Sequence, residues 1–444
     1  MTTLHERRLS LAVAGGPSQV VACERPSAAG VVSQRACVFC GARVVLYPIS
    51  DAVHLVHGPI GCAAYTWDIR GSLSSGPTLH RHSFCTDLRE REVIFGGIDR
   101  LTCALDHLIA AHQPRGAFVY STCLAGVIGD DVAGACQAAE RRHGIPVIPV
   151  EAPGFAGSKK DGYKAACDAL MKLIGTAEGP VFAEPSINIL GDFNLAGEIW
   201  TIRRYFEDLG IRVVATITGD GRIDEIRGAH RAQLNLVQCA GSMNHLARMM
   251  EERFKVPSMF VSFVGMEDTA SAIYQVVDRL GDQAMKERAQ VMVKNAIEKV
   301  QPDLMRWRRR LKGRTAAVYT GGAFKAISLV RALRVLGMQT MLVGSQTGSE
   351  SDYQQLQALC DPGTLVADDL TSHELEEFLD SHPVDLLIGG VKERYVAYKR
   401  GIGFCDHNHE RKHGLAGFDG MLAFAQEVAS TVLSPARLLA ARSL

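Results

Sequence analysis

The sequence lacks the features that would place it in several large classes of protein. Its 444 residues carry 48 basic and 48 acidic side chains, so it has neither the basic surplus typical of nucleic-acid binding nor an acidic tail. No apolar run reaches the ~18 residues that a membrane-spanning helix requires. The run Leu9–Ala14, after Arg7-Arg8, is too short for an export signal. We therefore expect neither nucleic acid nor a membrane among its partners.

Cysteine is present but is not arranged as in a secreted protein. Twelve cysteines are scattered over the chain, and no close array of two C-x-x-C pairs occurs. A disulfide scaffold would be shorter and denser in cysteine. We interpret the cysteines as free or metal-bound thiols in a reducing compartment, and we expect a cytoplasmic protein.

Complete nucleotide-binding motifs are also missing. The phosphate loop G-x-x-x-x-G-K-[ST] is absent, and the dipeptide Gly-Lys does not occur. The glycine turns Gly219-Asp220-Gly221 and Gly321-Gly322 follow predicted strands, but neither completes G-x-G-x-x-G. If the reaction requires ATP, a partner protein must hydrolyse it.

The sequence does contain a repeated alternation of apolar strands and amphipathic helices. This alternation predicts an α/β fold of three Rossmann-like domains, each a parallel sheet flanked by helices. Glycine and proline at 144–146 and 178–180 supply breaks between elements. We expect domains over residues 36–185, 186–313 and 314–444, preceded by a flexible N-terminal arm over residues 1–35.

Individual elements are predicted from the same patterns. Strands are expected at 44–47, 117–120 and 147–150, a short amphipathic helix at 51–56, and one long helix at 89–112. Later strands are expected at 187–191, 211–217, 234–238, 316–319, 340–343 and 384–388.

Three cysteines beside glycines or strand ends are candidate metal ligands. Cys37 opens the stretch that closes on Gly58-Pro59-Ile60-Gly61-Cys62, and Cys123 follows the apolar strand 117–119. Such positions suit an iron–sulfur cluster, because thiolates bind iron and glycine lets the backbone approach the sulfides. The alternative is three buried free cysteines, since cysteine packs as a small apolar residue.

Two further candidates lie later in the chain. Cys239 ends a predicted strand, and ligands bind at that end in open α/β sheets. His407, His409 and His413 lie in a glycine-flanked loop, and neutral imidazole is a common ligand for iron or zinc. A core cysteine and a solvated polar loop are the alternatives, and a mononuclear zinc site remains open. Cysteines interpreted as packing or spare thiols are Cys40, Cys85, Cys103, Cys136, Cys167 and Cys360.

Together these motifs resemble the α-type subunit of the nitrogenase component 1 superfamily over nearly the whole chain from Ala36. The matching motifs are HGPIGC at 57–62, YSTCLAGVIGDD at 120–131, VEAPGF at 150–155, NLVQC at 235–239 and AGFDG at 416–420.

The resemblance implies two metal centres. Cys37, Cys62 and Cys123 would join cysteines of a homologous β subunit to hold an interface cluster, either P-cluster-like or [4Fe–4S]. Cys239 and His407 would anchor a complex iron–sulfur cofactor of the Fe8S9C type, with or without a heterometal, in a cleft between the domains.

The resemblance also implies candidate catalytic residues. Arg70 matches an arginine near the cofactor. Lys159 and Lys160, which follow Gly154-Phe155, would offset cluster charge or donate protons. The candidate catalytic set is therefore Arg70, Lys160 and Tyr163.

Two functional branches of the family compete. Residues 74–97 and the chain length resemble the scaffold that assembles the nitrogenase iron–molybdenum cofactor, although that scaffold usually lacks a histidine at position 407. Retention of both Cys239 and His407 favours turnover instead. The Gln and His that flank the nitrogenase cofactor are missing after Gly154-Phe155, so dinitrogen reduction is not expected.

We therefore expect an α2β2 reductase that receives electrons from an ATP-hydrolysing iron protein. Its small-molecule substrates would be methylthio-alkanes such as dimethyl sulfide and methylthioethanol. Cleavage of their C–S bonds would release methanethiol and hydrocarbon. The cofactor-assembly scaffold is the alternative.

Overall fold

The computed structural model describes residues 10–17, 19–23, 36–67, 72–76, 83–407, 411 and 413–435. The chain divides into two compact units. The first unit is residues 36–261, and the second contains residues 262–444 together with the N-terminal residues. None of the helices in the described ranges combines the length and apolar character that a membrane crossing demands.

Strands and helices are numbered separately in chain order. The strands are β1 (Leu11–Val13), β2 (Ala52–His57), β3 (Ser83–Cys85), β4 (Gly116–Ser121), β5 (Val147–Glu151), β6 (Ser186–Leu190), β7 (Arg212–Ile217), β8 (Leu234–Val237), β9 (Ser258–Phe260), β10 (Thr315–Thr320), β11 (Gln339–Ser345), β12 (Leu365–Asp368), β13 (Leu386–Gly389) and β14 (Gly403–Asp406). The helices of the first unit are α1 (Val38–Leu46), α2 (Ile60–Trp67), α3 (Glu90–Phe95), α4 (Ile98–His112), α5 (Cys123–Ile128), α6 (Val132–His143), α7 (Lys159–Met171), α8 (Glu198–Asp208), α9 (Ile223–Arg227) and α10 (Ala240–Phe254). Those of the second unit are α11 (Met266–Leu280), α12 (Gln283–Leu311), α13 (Ala323–Val335), α14 (Glu350–Leu359), α15 (Ser372–Ser381), α16 (Val391–Lys399) and α17 (Gly417–Val432).

Three sheets organise the described residues. The first unit contains two parallel four-stranded sheets, with strand orders β3-β2-β4-β5 and β7-β6-β8-β9. The second unit contains a six-stranded sheet of order β1-β12-β11-β10-β13-β14, parallel except for β1. Helices connect successive parallel strands, because parallel pairing requires a crossover connection. The predicted α/β class, with parallel sheets flanked by helices, is confirmed.

Strands β2 and β4 show why the first sheet lies inside the unit. Both are buried along their whole length, as expected for parallel strands covered by helices on both faces. Val53 and Leu55 belong to one apolar cluster, which includes side chains of α4 and α6. Val56 points to the opposite face and joins a second cluster with side chains of α1, α7 and α10. Alternation along one strand therefore builds two cores.

The predicted strand at 44–47 and helix at 51–56 are wrong, and the two element types are exchanged. Residues 44–46 end helix α1, and residues 52–57 form β2. Every residue of α1 is buried, so its sequence lacks the one-sided apolar pattern that identifies a surface helix. Without that pattern, the pair Val44-Val45 predicts a strand, because β-branched residues favour strands.

The packing of α1 against α7 requires glycine on both helices. A Cβ atom on Gly162 would overlap the carbonyl oxygen of Val38 and lie 2.7 Å from the backbone nitrogen of Ala42. A Cβ atom on Gly41 would overlap the carbonyl oxygen of Lys159 in the same way. The two backbones therefore touch directly at this crossing.

Two other predictions differ from the structure. The helix expected at 89–112 is interrupted at Gly96-Gly97, giving α3 and α4, because Gly96 has a φ of +88° that a helix does not contain. Within the expected flexible arm, β1 pairs antiparallel with β12, Leu11 opposite Ala367. Much of residues 1–35 lies outside the described residues, and the three-domain boundaries stay a prediction.

Candidate functional site

The three cysteines predicted to bind metal meet at the carboxyl edge of the first sheet. Strands β2 and β4 pair in register, His57 opposite Ser121, so Cys62 and Cys123 follow neighbouring strand ends. Cys37 immediately precedes α1 and forms an isolated antiparallel bridge with Ser158. We call Cys37, Cys62 and Cys123 the cysteine cluster.

Gly154 lies between two of these thiols. Its backbone N–H donates to Cys123 Sγ at 3.0 Å. A Cβ atom on Gly154 would lie 3.0 Å from Cys123 Sγ and 3.4 Å from Cys37 Sγ. Glycine at this position lets the backbone approach the sulfurs, and any side chain would fill the space beside them.

Cys62 is half-buried beside the other thiols. Burial raises the pKa of its thiol, and nearby Cys123, Cys37 and Cys85 raise it further. Cys85 ends β3 and donates through Sγ to the carbonyl oxygen of Gly58, 3.3 Å away, in the turn before Cys62. In the part of the chain that the structure describes, no three Cys, His, Asp or Glu side chains form a site for a single metal ion.

Large apolar side chains are exposed around the cysteine cluster. They lie on α2, α3, α5 and the 154–156 turn, all of which follow strands of the first sheet. Exposure is 81% for Phe95, 72% for Ile94 and 65% for Phe155. We call this surface the apolar patch, and it comprises Ile60, Tyr65, Val93, Ile94, Phe95, Val127 and Phe155. Large exposed apolar side chains on neighbouring segments are typical of interaction surfaces.

Cys239 lies at the carboxyl edge of the second sheet of the first unit. It follows β8 and immediately precedes α10, and its side chain is half-buried. Gly191, with a φ of +88°, follows neighbouring β6, and a Cβ atom there would lie 2.8 Å from Cys239 Cβ. The first turn of a helix favours negative charge, so this position suits a thiolate ligand.

His407 lies in the second unit, directly after β14. Its side chain is completely buried, and neither ring nitrogen has a hydrogen-bond partner among the described residues. Glu427 Oε2 is 4.0 Å from Nε2, beyond hydrogen-bond distance. Burial, followed by the positive charges of Arg411 and Lys325, lowers the pKa of the imidazole well below its usual range. A neutral imidazole has one ring nitrogen whose lone pair can bind a metal.

The backbone around His407 is held from two sides. Its N–H donates to the carbonyl oxygen of Gly389 at 2.9 Å, and Lys325 Nζ donates to its carbonyl oxygen at 2.8 Å. The Phe424 ring packs edge-on against the imidazole, with 5.3 Å between ring centroids. Of the other loop histidines, His413 is exposed and His409 lies outside the described residues.

Two of the three candidate catalytic residues lie in the part of the chain that the structure describes. Arg70 lies outside the described residues. Lys160 is half-buried near the start of α7. Tyr163 is buried in the apolar core with α1 and α10, which supports a packing role.

Most of the cysteines predicted to be packing thiols are buried. Cys40, Cys136, Cys167 and Cys360 are buried as expected for packing, whereas Cys103 is exposed. Sequence reasoning missed the contact of Gly154 with the thiols and the position of Cys85. The proline before Gly154, in the VEAPGF motif, was the available signal for a turn there.

Fold and site together define a class of protein: a parallel α/β chain that presents a group of thiols at one sheet edge, a thiol before a helix at another, and a buried neutral imidazole. The chain belongs to the nitrogenase component 1 type oxidoreductase family, whose model matches residues 37–433.

Within this family, the chain is similar to several named proteins. The nitrogenase iron-molybdenum cofactor biosynthesis protein NifE of Clostridium pasteurianum is 55% identical over 423 residues, covering 95% of this chain and 92% of that protein. The protein of the same name from Methanosarcina barkeri is 45% identical over 445 residues, covering 98% and 96%. The solved structure of nitrogenase Cp1 at pH 5 is 28% identical with a TM-score of 0.90, covering 98% of this chain and 96% of that one.

These relatives overturn the expected methylthio-alkane reductase. They are named for cofactor biosynthesis, the alternative in the sequence analysis, and the similarity spans both chains almost completely. The error came from treating Cys239 and His407 as evidence of turnover. A ligand pair indicates that a cluster can be held, but it does not distinguish a cluster that reacts from one that is passed on.

Proposed function

We propose that this chain is a scaffold subunit on which the nitrogenase iron–molybdenum cofactor is built. The observation that carries the proposal is its 55% identity to a NifE protein over nearly the full length of both chains. The protein would hold a cofactor precursor as cargo and release it to nitrogenase.

The cysteine cluster would hold an iron–sulfur cluster shared with a homologous β subunit. Gly154 supports this role, because a side chain at that position would fill the space beside the sulfurs of Cys37 and Cys123. The apolar patch would be covered by the β subunit in an α2β2 assembly. Either a [4Fe–4S] or a larger P-cluster-like centre fits three thiolates from one chain.

Cys239 and His407 would be the ligands of the cofactor precursor, an Fe8S9C-type cluster with or without a heterometal. His407 supports this because neither of its ring nitrogens has a hydrogen-bond partner among the described residues, and a buried polar group without a partner is costly. Arg70 and Lys160 would offset cluster charge. Few protein ligands suit a scaffold, because release then requires few bonds to break.

An ATP-hydrolysing iron protein would supply electrons. The sequence contains no phosphate loop of its own, so nucleotide hydrolysis must occur on a partner. The interface cluster would pass the electrons onward to the bound precursor.

The test is cofactor transfer. The chain is co-expressed with its β subunit in a host that makes the precursor, purified without oxygen, and mixed with cofactor-free nitrogenase, the iron protein, MgATP, molybdate and homocitrate. We expect acetylene reduction to appear. Cys239→Ala should abolish this activation, whereas Cys360→Ala, at a buried cysteine away from the proposed ligands, should retain it.

Iron analysis makes the result decisive. Cys62→Ala should lose interface iron, measured as iron atoms per purified complex. A wild-type complex that is fully loaded with iron yet fails to activate nitrogenase would contradict the scaffold function.

A further inference from the structure

His57 lies between the two loops that carry Cys62 and Cys123. It ends β2, and its side chain is completely buried. Nε2 is 2.8 Å from Asp130 Oδ2, and Nδ1 is 3.1 Å from Thr86 Oγ1. Asp130 is also buried, with a side-chain exposure of 3%. The imidazole, at the end of β2, thus links Thr86, which follows β3, to Asp130, which lies beyond β4.

The direction of these hydrogen bonds follows from their chemistry. Burial lowers the pKa of His57, although Asp130 opposes the shift, so the ring is neutral. The Asp130 carboxylate accepts from Nε2–H, which leaves Nδ1 to accept from the Thr86 hydroxyl. Thr86 Oγ1 in turn accepts from the backbone N–H of Gly58 at 3.2 Å. An unbroken series therefore runs from the Cys62 turn to Asp130.

The other end of the series is fixed to the Cys123 helix. Asp130 follows α5, which begins at Cys123, and its backbone N–H donates to the carbonyl oxygen of Ala125 at 3.3 Å. Its carboxylate also accepts from the backbone N–H of Gly97 at 2.9 Å. Thr122, just before Cys123, donates to the carbonyl oxygen of His57 through both its N–H and its hydroxyl, at 3.2 and 3.1 Å.

We propose that His57, Thr86 and Asp130 are positioning residues that set the separation of Cys62 and Cys123 before any cluster is inserted. The inference rests on the proposed role of those two thiols. A buried, fully satisfied polar series permits few alternative arrangements, because breaking one bond leaves unpaired groups in a low-dielectric interior. The loops are thereby held in one geometry without metal.

Two substitutions break the series while preserving side-chain volume. Thr86→Val removes the hydroxyl that links Gly58 to His57. The Asp130 carboxylate now accepts hydrogen bonds from His57 Nε2–H and Gly97 N–H. Asp130→Asn replaces one of its oxygens with an N–H2 group, which cannot accept a hydrogen bond from these donors. The matched controls are Thr86→Ser, which keeps the hydroxyl, and Asp131→Asn, which changes the adjacent carboxylate to another good helix cap.

Hydrogen exchange of the metal-free chain provides the first readout. We expect the Gly58 amide to exchange about tenfold faster in Thr86→Val and Asp130→Asn, because an unpaired buried group weakens local structure. Thr86→Ser and Asp131→Asn should exchange as wild type does. Unchanged Gly58 exchange in both disruptive variants would overturn the proposal.

The second readout is the interface cluster in the α/β complex. The disruptive variants should shift its paramagnetic resonance spectrum and midpoint potential, and Thr86→Ser should restore both. Wild-type spectra and potentials in Thr86→Val and Asp130→Asn would overturn a positioning role, even with faster exchange. If Cys62→Ala retains all interface iron, the proposed cluster ligands are wrong, and hydrogen exchange alone decides whether the series orders the loops.

Discussion

At the residue scale, glycines decide how closely the backbone approaches the candidate ligands. Gly154 lies against Cys37 and Cys123, and Gly191 lies against Cys239. Gly191 carries two constraints, because its φ is +88° and a Cβ atom there would also be 2.8 Å from the Cys239 backbone nitrogen. Position 191 therefore controls the placement of Cys239.

Gly191→Ala should displace Cys239. We expect a loss of about 3 kcal/mol in the free energy of unfolding, from left-handed backbone strain and overpacking together. Gly210→Ala is the matched control, since Gly210 has a φ of +82° but open space around it. In denaturant unfolding, the control should lose only the part of the unfolding free energy that backbone strain costs, about 1 kcal/mol. Iron analysis should show that the control retains its cofactor iron. Equal losses in the two variants would show that the Cys239 contact is unimportant.

His407 should make stability depend on pH. The unfolded chain binds a proton at His407 near pH 6.5, whereas the folded chain does not until well below that value. The contribution of His407 to the free energy of unfolding is therefore fully present above about pH 6.5 and is lost as the pH falls below that value. Lys325 and Arg411 strengthen the effect, and Glu427 opposes it.

The variant His407→Phe isolates this contribution. In the metal-free chain its unfolding free energy, relative to wild type, should rise from pH 7 to pH 5. Removing a buried imidazole that has no hydrogen-bond partner in the described part of the chain should also recover part of about 1–3 kcal/mol at pH 7. Unfolding titrations at several pH values measure both effects. A pH-independent difference would contradict the first effect, and a variant less stable than wild type at pH 7 would contradict the second. The same substitution at exposed His107 serves as the control.

At the element scale, the crossing of α1 and α7 positions Cys37. Cys37 precedes α1, and Ser158, its bridge partner, precedes α7. The Gly41–Gly162 contact lets both helix starts reach the cysteine cluster.

Gly162→Ala should separate α1 from α7. Its new methyl group would meet the backbone at Val38 and Ala42, which cannot move as a flexible side chain would. We expect a destabilisation of about 3 kcal/mol, measured by chemical denaturation. Gly241→Ala, in the first turn of α10 with open space around it, should instead be neutral or stabilise by up to about 1 kcal/mol. A tolerated Gly162→Ala would mean that the helices can move apart freely.

At the scale of the whole molecule, the apolar patch makes the isolated chain prone to association. The double substitution Phe95→Ser and Phe155→Ser should lower self-association of the chain alone and weaken its binding to the proposed β subunit at least tenfold, since interface aromatic residues carry much of the binding energy. Light scattering and co-purification measure the two effects. Tyr395→Ser with Tyr398→Ser, at exposed aromatic residues of the second unit, is the control. Equal β-subunit binding by both double variants would place the partner elsewhere.

Sequence patterns were sufficient wherever an element carried its own signal. Strands β4, β5, β6 and β10 are short apolar runs bounded by turns, and all four were predicted within one or two residues. The three cysteines of the cluster were also singled out from sequence, because a thiol beside glycines and strand ends is a local feature, and their role as cluster ligands stays a prediction. The type of each residue and its immediate neighbours are known from the sequence alone.

Tertiary structure alone decided what depends on packing. Helix α1 is buried on every side and strand β2 is buried on both faces, so neither shows the periodicity that distinguishes helix from strand, and they were predicted with types exchanged. Strand β1 exists only because β12 offers an edge to pair with. The approach of Gly154 to the thiols, the packing of Phe424 on His407 and the link from Gly58 to Asp130 join residues far apart in sequence. Their energies arise from burial and distance, which exist only after the chain has folded.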